Sequence, residues 1–378
     1  MIPLFSNSLG KEELNRLKQV FSSRWLGYGP VSKEFEKLFA KRLKSNYALG
    51  INCCTAGLFM SMEILDINKG DEVIIPSIAF IACANSVIKA GATPVFADVD
   101  RRTLNIIPSE VERLISSKTK AIMLLHYGGI PAEIDEIKKV IKKAKRKIYL
   151  IEDSANSPFS SYKGRFCGTL GDIGIVSFDV NKILVTGSGG MMMVQDDDLY
   201  YKAQLTRFYG LVPSKSSGLD ALKSGTKKWW EIDLEYPGNR YLINDIVSAI
   251  GIEQLKKVDQ FIQKRKEIWQ FYKRELNGVK CIKLPPDPPS YTQSSYYFFW
   301  IQVENERQHL SLANYLIKNN IYTSFRYYPL HLIKHYGDES KLPNSEVISK
   351  TTLNIPFHQN LTVRDLDKIV KTIKKWAK

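Results

Sequence analysis

The chain has 378 residues, 44% of them hydrophobic and 25% charged, which is enough for a large core and two domains. No apolar run is long enough to cross a bilayer, and Met1–Phe5 lacks the pattern of a signal peptide, so a cytoplasmic protein with no membrane partner is expected. The net charge of +15 suits solvated lysine-rich faces or an anionic substrate; no zinc-finger, aromatic RNA-binding or helix-turn-helix pattern points to nucleic acid.

From residue 45 to 195, short apolar runs alternate with helical patterns. Helices are expected at Ala56–Leu65, Ile81–Ala90, Ser109–Ile115 and Asp135–Lys145. The last contains IKKVIKKAKRK (137–147), where Ile137, Val140 and Ile141 fall on one face and lysines fill the other. Strands are expected at Glu72–Pro76, Pro94–Val99, Ala121–His126, Ile148–Asp153, Ile173–Phe178 and Gly190–Val194. This alternation predicts an α/β fold, a mostly parallel sheet sandwiched by helices. Residues 211–240 read as a loop, punctuated by Pro213, Ser214, Ser216, Ser217, Gly218, Ser224 and Gly225 and closed by Trp229 and Trp230. A long amphipathic pattern follows from Asn244 to about Leu276, with Ile246, Ile250, Leu255, Val258, Ile262 and Trp269 as its expected buried stripe. Beyond it, Tyr296–Val303 reads as a strand, and His309–Asn319 and Arg364–Lys375 as helices. The expected division is a large domain at 1–243 and a connecting helix with a small α+β domain at 244–378. Five cysteines, Cys53, Cys54, Cys83, Cys167 and Cys281, fit neither a disulfide framework nor a metal site and read as reduced.

The chemistry centres on Lys182. It follows the strand ending in Ser177-Phe178 and precedes Thr186-Gly187-Ser188-Gly189-Gly190, whose glycines permit a tight backbone path. The strand before it ends in Glu152-Asp153. A lysine and an aspartate at neighbouring strand ends suit pyridoxal phosphate: the amine forms a Schiff base with the aldehyde, and the carboxylate keeps the pyridine nitrogen protonated. Adjacent strand residues point to opposite faces, so one carboxylate faces the site; Asp153 is the choice, with Asn156 three residues on. Asn52–Leu58 opens a helix with small residues and Thr55, which suits a phosphate, although taken alone it reads as an ordinary N-cap. Ser177 can join Thr55 at that phosphate. Phe80 can stack on a flat ring or, taken alone, fill the core.

Together these segments resemble the DegT/DnrJ/EryC1/StrS sugar aminotransferase family of fold type I pyridoxal phosphate enzymes. The resemblance rests on WLGYGP (25–30) with Glu34-Phe35-Glu36, GDEVIIPSIAF (70–80), AGATPVFADVD (90–100), HYGGIPAEID (126–135), IEDSAN (151–156), KGRFCGTLGDIG (163–174), AIGIEQL (249–255), Tyr328-Pro329-Leu330-His331 and Leu353-Asn354-Ile355-Pro356. It implies Lys182 as the Schiff-base and proton-shuttling lysine and Asp153 at the pyridine nitrogen, with Asn156 beside the ring. It further implies Thr55, Ser177 and the backbone of Ala56 at the phosphate, Phe80 stacked on the ring, and Arg240 reaching the phosphate of a partner subunit. A homodimer with shared active sites follows. Asp179, Ser188 and Cys54 depart from the family's common residues at their positions. The segments around Lys182 are similar to members acting at C4 of 4-keto sugars. The implied reaction takes an amino group from L-glutamate, through pyridoxamine phosphate, to a nucleotide-linked 4-keto-6-deoxyhexose, for surface polysaccharide or glycan assembly. The competing readings are a pyridoxal phosphate-dependent sugar dehydratase, a 3-keto sugar or cyclitol aminotransferase, and a catalytically silent binding relative.

Overall fold

The computed structural model describes residues 1–212, 225, 227–338 and 340–378. Of the expected 211–240 loop, Pro213, Ser214, Ser216, Ser217, Gly218 and Ser224 lie outside the described residues; Trp229 and Trp230 stand exposed beside each other, ring centroids 4.8 Å apart.

The central sheet is built from β1 (Tyr47–Ile51), β2 (Glu72–Pro76), β3 (Thr93–Ala97), β4 (Thr119–Leu125), β5 (Tyr149–Asp153), β8 (Ile173–Ser177) and β9 (Gly190–Val194). Between β5 and β8 lies a hairpin, β6 (Ser161–Tyr162) and β7 (Arg165–Phe166). The sheet order is β1-β9-β8-β5-β4-β2-β3. Strands β3, β2, β4, β5 and β8 run parallel; β9 is antiparallel to both β8 and β1, so β1 again points the same way as β8. Both faces are covered, which is why β8 and β9 are buried along their whole length. The period of two is visible in β2: Val73 and Ile75 enter the larger core, while Ile74 joins Ile122, Leu124 and Ile137 on the other face.

The helices of this region are α1 (Lys11–Ser23), α2 (Pro30–Leu43), α3 (Cys54–Ile64), α4 (Ile81–Lys89), α5 (Pro108–Leu114), α6 (Ile134–Lys143) and α7 (Asp197–Arg207). In α6 the lysine-rich face is solvated; of the expected apolar face Ile137 and Val140 are buried with Ile134, while Ile141 is only partly covered. The expected elements of this region therefore stand, with ends shifted by no more than two residues.

The long α8 (Asp245–Leu276) corrects one expectation. Of the proposed stripe, Val258 and Trp269 are buried, but Ile246, Ile250, Leu255 and Ile262 remain partly exposed. The buried face instead carries Ser248, Ala249, Gly251, Ile252, Gln254, Phe261 and Arg265. Close packing against α1 and α2 demands small side chains here; a Cβ on Gly251 would lie 2.5 Å from the Phe35 ring. Asp245 fastens the start of α8 to α2. Its Oδ1 accepts from Gly29 N (2.9 Å), Ser32 N (2.8 Å) and Ser32 Oγ (2.6 Å), and its Oδ2 from Val31 N (3.3 Å). These are the open donors of a helix N-terminus that begins with proline.

Beyond α8, β10 (Ile282–Lys283), β12 (Phe299–Val303) and β13 (Thr352–Ile355) form a second antiparallel sheet, while β11 (Thr292–Gln293) pairs with β6. Helices α9 (Glu306–Lys318), α10 (Pro343–Thr351) and α11 (Val363–Trp376) pack around it. The strand expected from Tyr296 starts only at Phe299, because Tyr296 has φ 53° and turns the chain toward the first sheet.

Candidate active site

The residues singled out at strand ends meet at one edge, the carboxyl ends of the parallel strands, where open α/β sheets bind ligands. The two carboxylates at the end of β5 diverge as the pleat dictates. Glu152 Oε2 accepts from His126 Nε2 (2.9 Å) and Gly168 N (2.8 Å), and its Oε1 from Leu170 N (2.6 Å) and Gly171 N (2.5 Å). Burial favours its neutral form, but the His126 ring and these N–H groups outweigh that and lower its pKa. Glu152 is thus a saturated structural group. Asp153 is as deeply buried but poorly partnered: Oδ1 accepts from Ala155 N (3.0 Å), and Oδ2 takes only the weak thiol donor of Cys83 (3.4 Å). Burial pushes its pKa up, opposed in part by the Ala155 N–H, the Lys182 charge and the Cys83 thiol.

Lys182 Nζ, on the turn after β8, donates to Asn156 Oδ1 (3.4 Å) and lies 4.9 Å from the centre of the Tyr297 ring. Tyr327 OH donates to the same Asn156 oxygen (3.2 Å). Tyr297 OH reaches the carbonyl of Asn181 (3.2 Å), the residue before the lysine. Burial disfavours the ammonium, but Tyr297, Tyr327, Cys54 and Asp153 outweigh it and raise the Lys182 pKa.

The ends of β1 and β8 lie side by side across Gly190, which pairs with both Ile51 and Ser177. A Cβ on Gly190 would lie 2.8 Å from Val176 O and 3.0 Å from Cys54 N. That closeness sets the start of α3 beside Ser177, with Thr55 partly exposed. Ala56 N–H meets Cys53 Sγ (3.3 Å), a weak acceptor that an anion can displace. Phe80 lies outside the core, 47% exposed, with its ring 5.7 Å from that of Tyr327. Arg240 is exposed on the segment beside β1, bridging to Phe208, and is not brought to the Lys182 cluster within one chain.

Pyridoxal phosphate fits this constellation on two counts. Among the described residues the buried Asp153 carboxylate has no cationic partner in hydrogen-bonding contact, which a pyridinium N–H would supply. The buried Asn156 Nδ2 has no hydrogen-bond partner among the described residues and can donate to a ring oxygen. Sequence reasoning missed Tyr297, Tyr327 and Cys83. The two tyrosines come from the C-terminal part, where Tyr297 reads as strand and Tyr327 merely adjoins a recognised motif.

The family model of the DegT/DnrJ/EryC1/StrS aminotransferase family matches residues 7–374. The chain is 42% identical over 363 residues to a protein of Saccharopolyspora spinosa named dTDP-4-dehydro-2,3,6-trideoxy-D-glucose 4-aminotransferase, covering 96% of this chain and 93% of that one. Its fold superimposes on the aminotransferase TlmJ from Streptoalloteichus hindustanus with a TM-score of 0.93, at 38% identity, over 100% of this chain and 98% of that one. It also matches the PMP form of Spr1654 from Streptococcus pneumoniae, with a TM-score of 0.92 at 25% identity over 100% and 99% of the two chains. The chain belongs to the DegT/DnrJ/EryC1/StrS aminotransferase family, a family of pyridoxal phosphate enzymes, and is a sugar aminotransferase.

Proposed function

We propose that the protein transfers an amino group from L-glutamate to the C4 ketone of a nucleotide-linked 4-keto-6-deoxyhexose. The observation that carries the position and substrate class is the 42% identity, along nearly the whole chain, to a protein named as a dTDP-sugar 4-aminotransferase. The positive net charge suits a diphosphate substrate.

When bound, pyridoxal phosphate supplies an electron sink for the C–H bond next to the transferred nitrogen. In this reading the chain does the rest. Lys182 Nζ holds the cofactor between reactions and moves the proton during them. Its station at Asn156 Oδ1 keeps it within the site when it is free. Asp153, buried and short of donors, keeps the ring nitrogen protonated. Asn156 orients the ring through its free Nδ2. Thr55, the Ala56 N–H and Ser177 hold the phosphate at the N-terminus of α3. Phe80 covers the ring, and Arg240 completes the phosphate site of the partner in a homodimer.

The test is an absorbance spectrum of the protein with pyridoxal phosphate, before and after L-glutamate, beside Lys182→Ala. The yellow band should fade with glutamate and be missing in the variant. Incubation with 4-keto and 3-keto nucleotide sugars should then yield a 4-amino product with one glutamate consumed per sugar. A dehydrated product, or sugar turnover without glutamate loss, would overturn the proposal.

A further inference from the structure

Tyr297 stands in a connection that sugar amino transfer does not by itself explain. Its ring centre lies 4.9 Å from Lys182 Nζ, a cation–π distance, and its hydroxyl donates to Asn181 O at 3.2 Å. It thus contacts both the amine and the backbone just before it. The ring is also stacked on Phe5 at 5.9 Å and 22°.

What holds Tyr297 is equally specific. The preceding residue, Tyr296, occupies the left-handed region (φ 53°), unfavourable for a residue with a side chain. Arg265 of α8 lies behind this turn, 1% exposed. Its Nη1 donates to the carbonyls of Tyr296 (3.2 Å), Tyr297 (3.4 Å) and Phe357 (3.2 Å), and its Nε to Gln359 Oε1 (3.0 Å). No carboxylate pairs with it among the described residues, and burial pulls its pKa down to about 10. A buried guanidinium spent on main-chain oxygens fixes geometry, because its planar fork points at several acceptors at once.

We infer that Tyr297 is a positioning residue for Lys182, its ring face stabilising the free ammonium and its hydroxyl fixing the lysine's turn, and that Arg265 holds Tyr297 in that place. The inference rests on the role of Lys182 proposed above. The other groups facing the amine are Asp153 from β5, Cys54 from α3 and Tyr327 from the C-terminal part; they also favour its charged form. Tyr297 differs from them in that its own placement depends on a helix that does not touch the amine.

The consequence is readable without turnover. Only the neutral amine attacks the aldehyde of pyridoxal phosphate; the ammonium proton goes first to solvent, then the C–N bond forms and water leaves. The rate at which the imine band grows on adding pyridoxal phosphate to cofactor-free protein therefore titrates Lys182. Removing the ring face in Tyr297→Met or Tyr297→Leu should move the midpoint of that rate profile down by about one pH unit, the scale of a desolvated cation–π contact. Tyr297→Phe should keep the midpoint near that of the parent. Arg265→Lys should move it part of the way down. If the methionine and leucine variants titrate like the parent, or if the phenylalanine variant moves as far as they do, the role of the ring face is refuted. A lower melting temperature with an unmoved midpoint in Arg265→Lys would refute its part. Absence of any imine band in the parent would instead overturn the reading of Lys182 itself.

Discussion

Glu152 and Asp153 are neighbours in sequence with opposite jobs, and amide substitution should separate them. In Glu152→Gln one carboxylate oxygen becomes an NH2 group. The best placement keeps the remaining oxygen toward Leu170 and Gly171 N–H. The new amide nitrogen then faces Gly168 N–H and His126. His126 cannot adapt, because its Nδ1 already accepts from Ala132 N (3.0 Å), so its Nε2 carries the proton. Two buried donors lose their acceptor. At about 1–3 kcal/mol each, the loss is about 4 kcal/mol of stability. Asp153→Asn keeps the Ala155 N–H bond, loses only a thiol contact and removes a poorly partnered buried charge. Its stability should change by less than about 1 kcal/mol, while amino transfer falls by at least about 100-fold, the scale of losing one electrostatic partner in an active site. Denaturant midpoints and single-turnover reduction of the yellow band by glutamate measure the two effects. The assignment fails if Asp153→Asn destabilises as much as Glu152→Gln, or if it leaves transfer intact.

Asp245→Ala should cost about 3 kcal/mol by stripping the charged acceptor from the start of α2, and Asp245→Asn only about 1 kcal/mol, since one amide oxygen can serve the three donors at Oδ1; chemical denaturation compares them. Gly190→Ala should weaken pyridoxal phosphate binding about ten-fold by pressing on the turn at Cys54, and should also lower the melting temperature, because the new Cβ meets the Val176 carbonyl at 2.8 Å; titration by absorbance decides, and unaltered affinity would remove Gly190 from the phosphate site. Stability should also fall on acidification in two windows. Burial, with the nearby Arg265 charge, pulls the His358 pKa from 6.5 to about 4, so the unfolded chain takes up a proton first and stability drops by about 3 kcal/mol between those values. His358→Gln should remove this limb from melting curves. The Glu152 pKa is depressed, so its contribution is complete above 4.5 and is lost as pH falls through the folded value; Glu152→Gln should flatten that lower limb.

The parallel core was legible because its strands are apolar on both faces and end at turn residues. The pleat required that only one of Glu152 and Asp153 face the site without saying which, and the structure places the saturated partners on Glu152. Two things were hidden. The buried face of α8 is made of small and polar residues chosen for close approach, so a search for apolar periodicity selected Ile246, Ile250, Leu255 and Ile262, which are only partly covered. Tyr297 and Tyr327 lie more than a hundred residues from Lys182, and nothing local marks them. Tyr297 reaches the site because a left-handed turn at Tyr296 and a buried arginine direct the second sheet's leading segment inward, and Tyr327 because the Asn354 side chain anchors the backbone beside it at Arg326 N.

The shared oxygen of Asn156 bears on the timing of the reaction. A transaminase must let its lysine go and take it back in every cycle. An amine released into bulk-like space would have to find its way back through many rotamers. Here the same amide oxygen is offered to Lys182 at 3.4 Å and to Tyr327 at 3.2 Å. Under the proposed reading, the departing amine has a berth already built, and Tyr327 keeps that berth aligned while the amine is away. Return then costs little search.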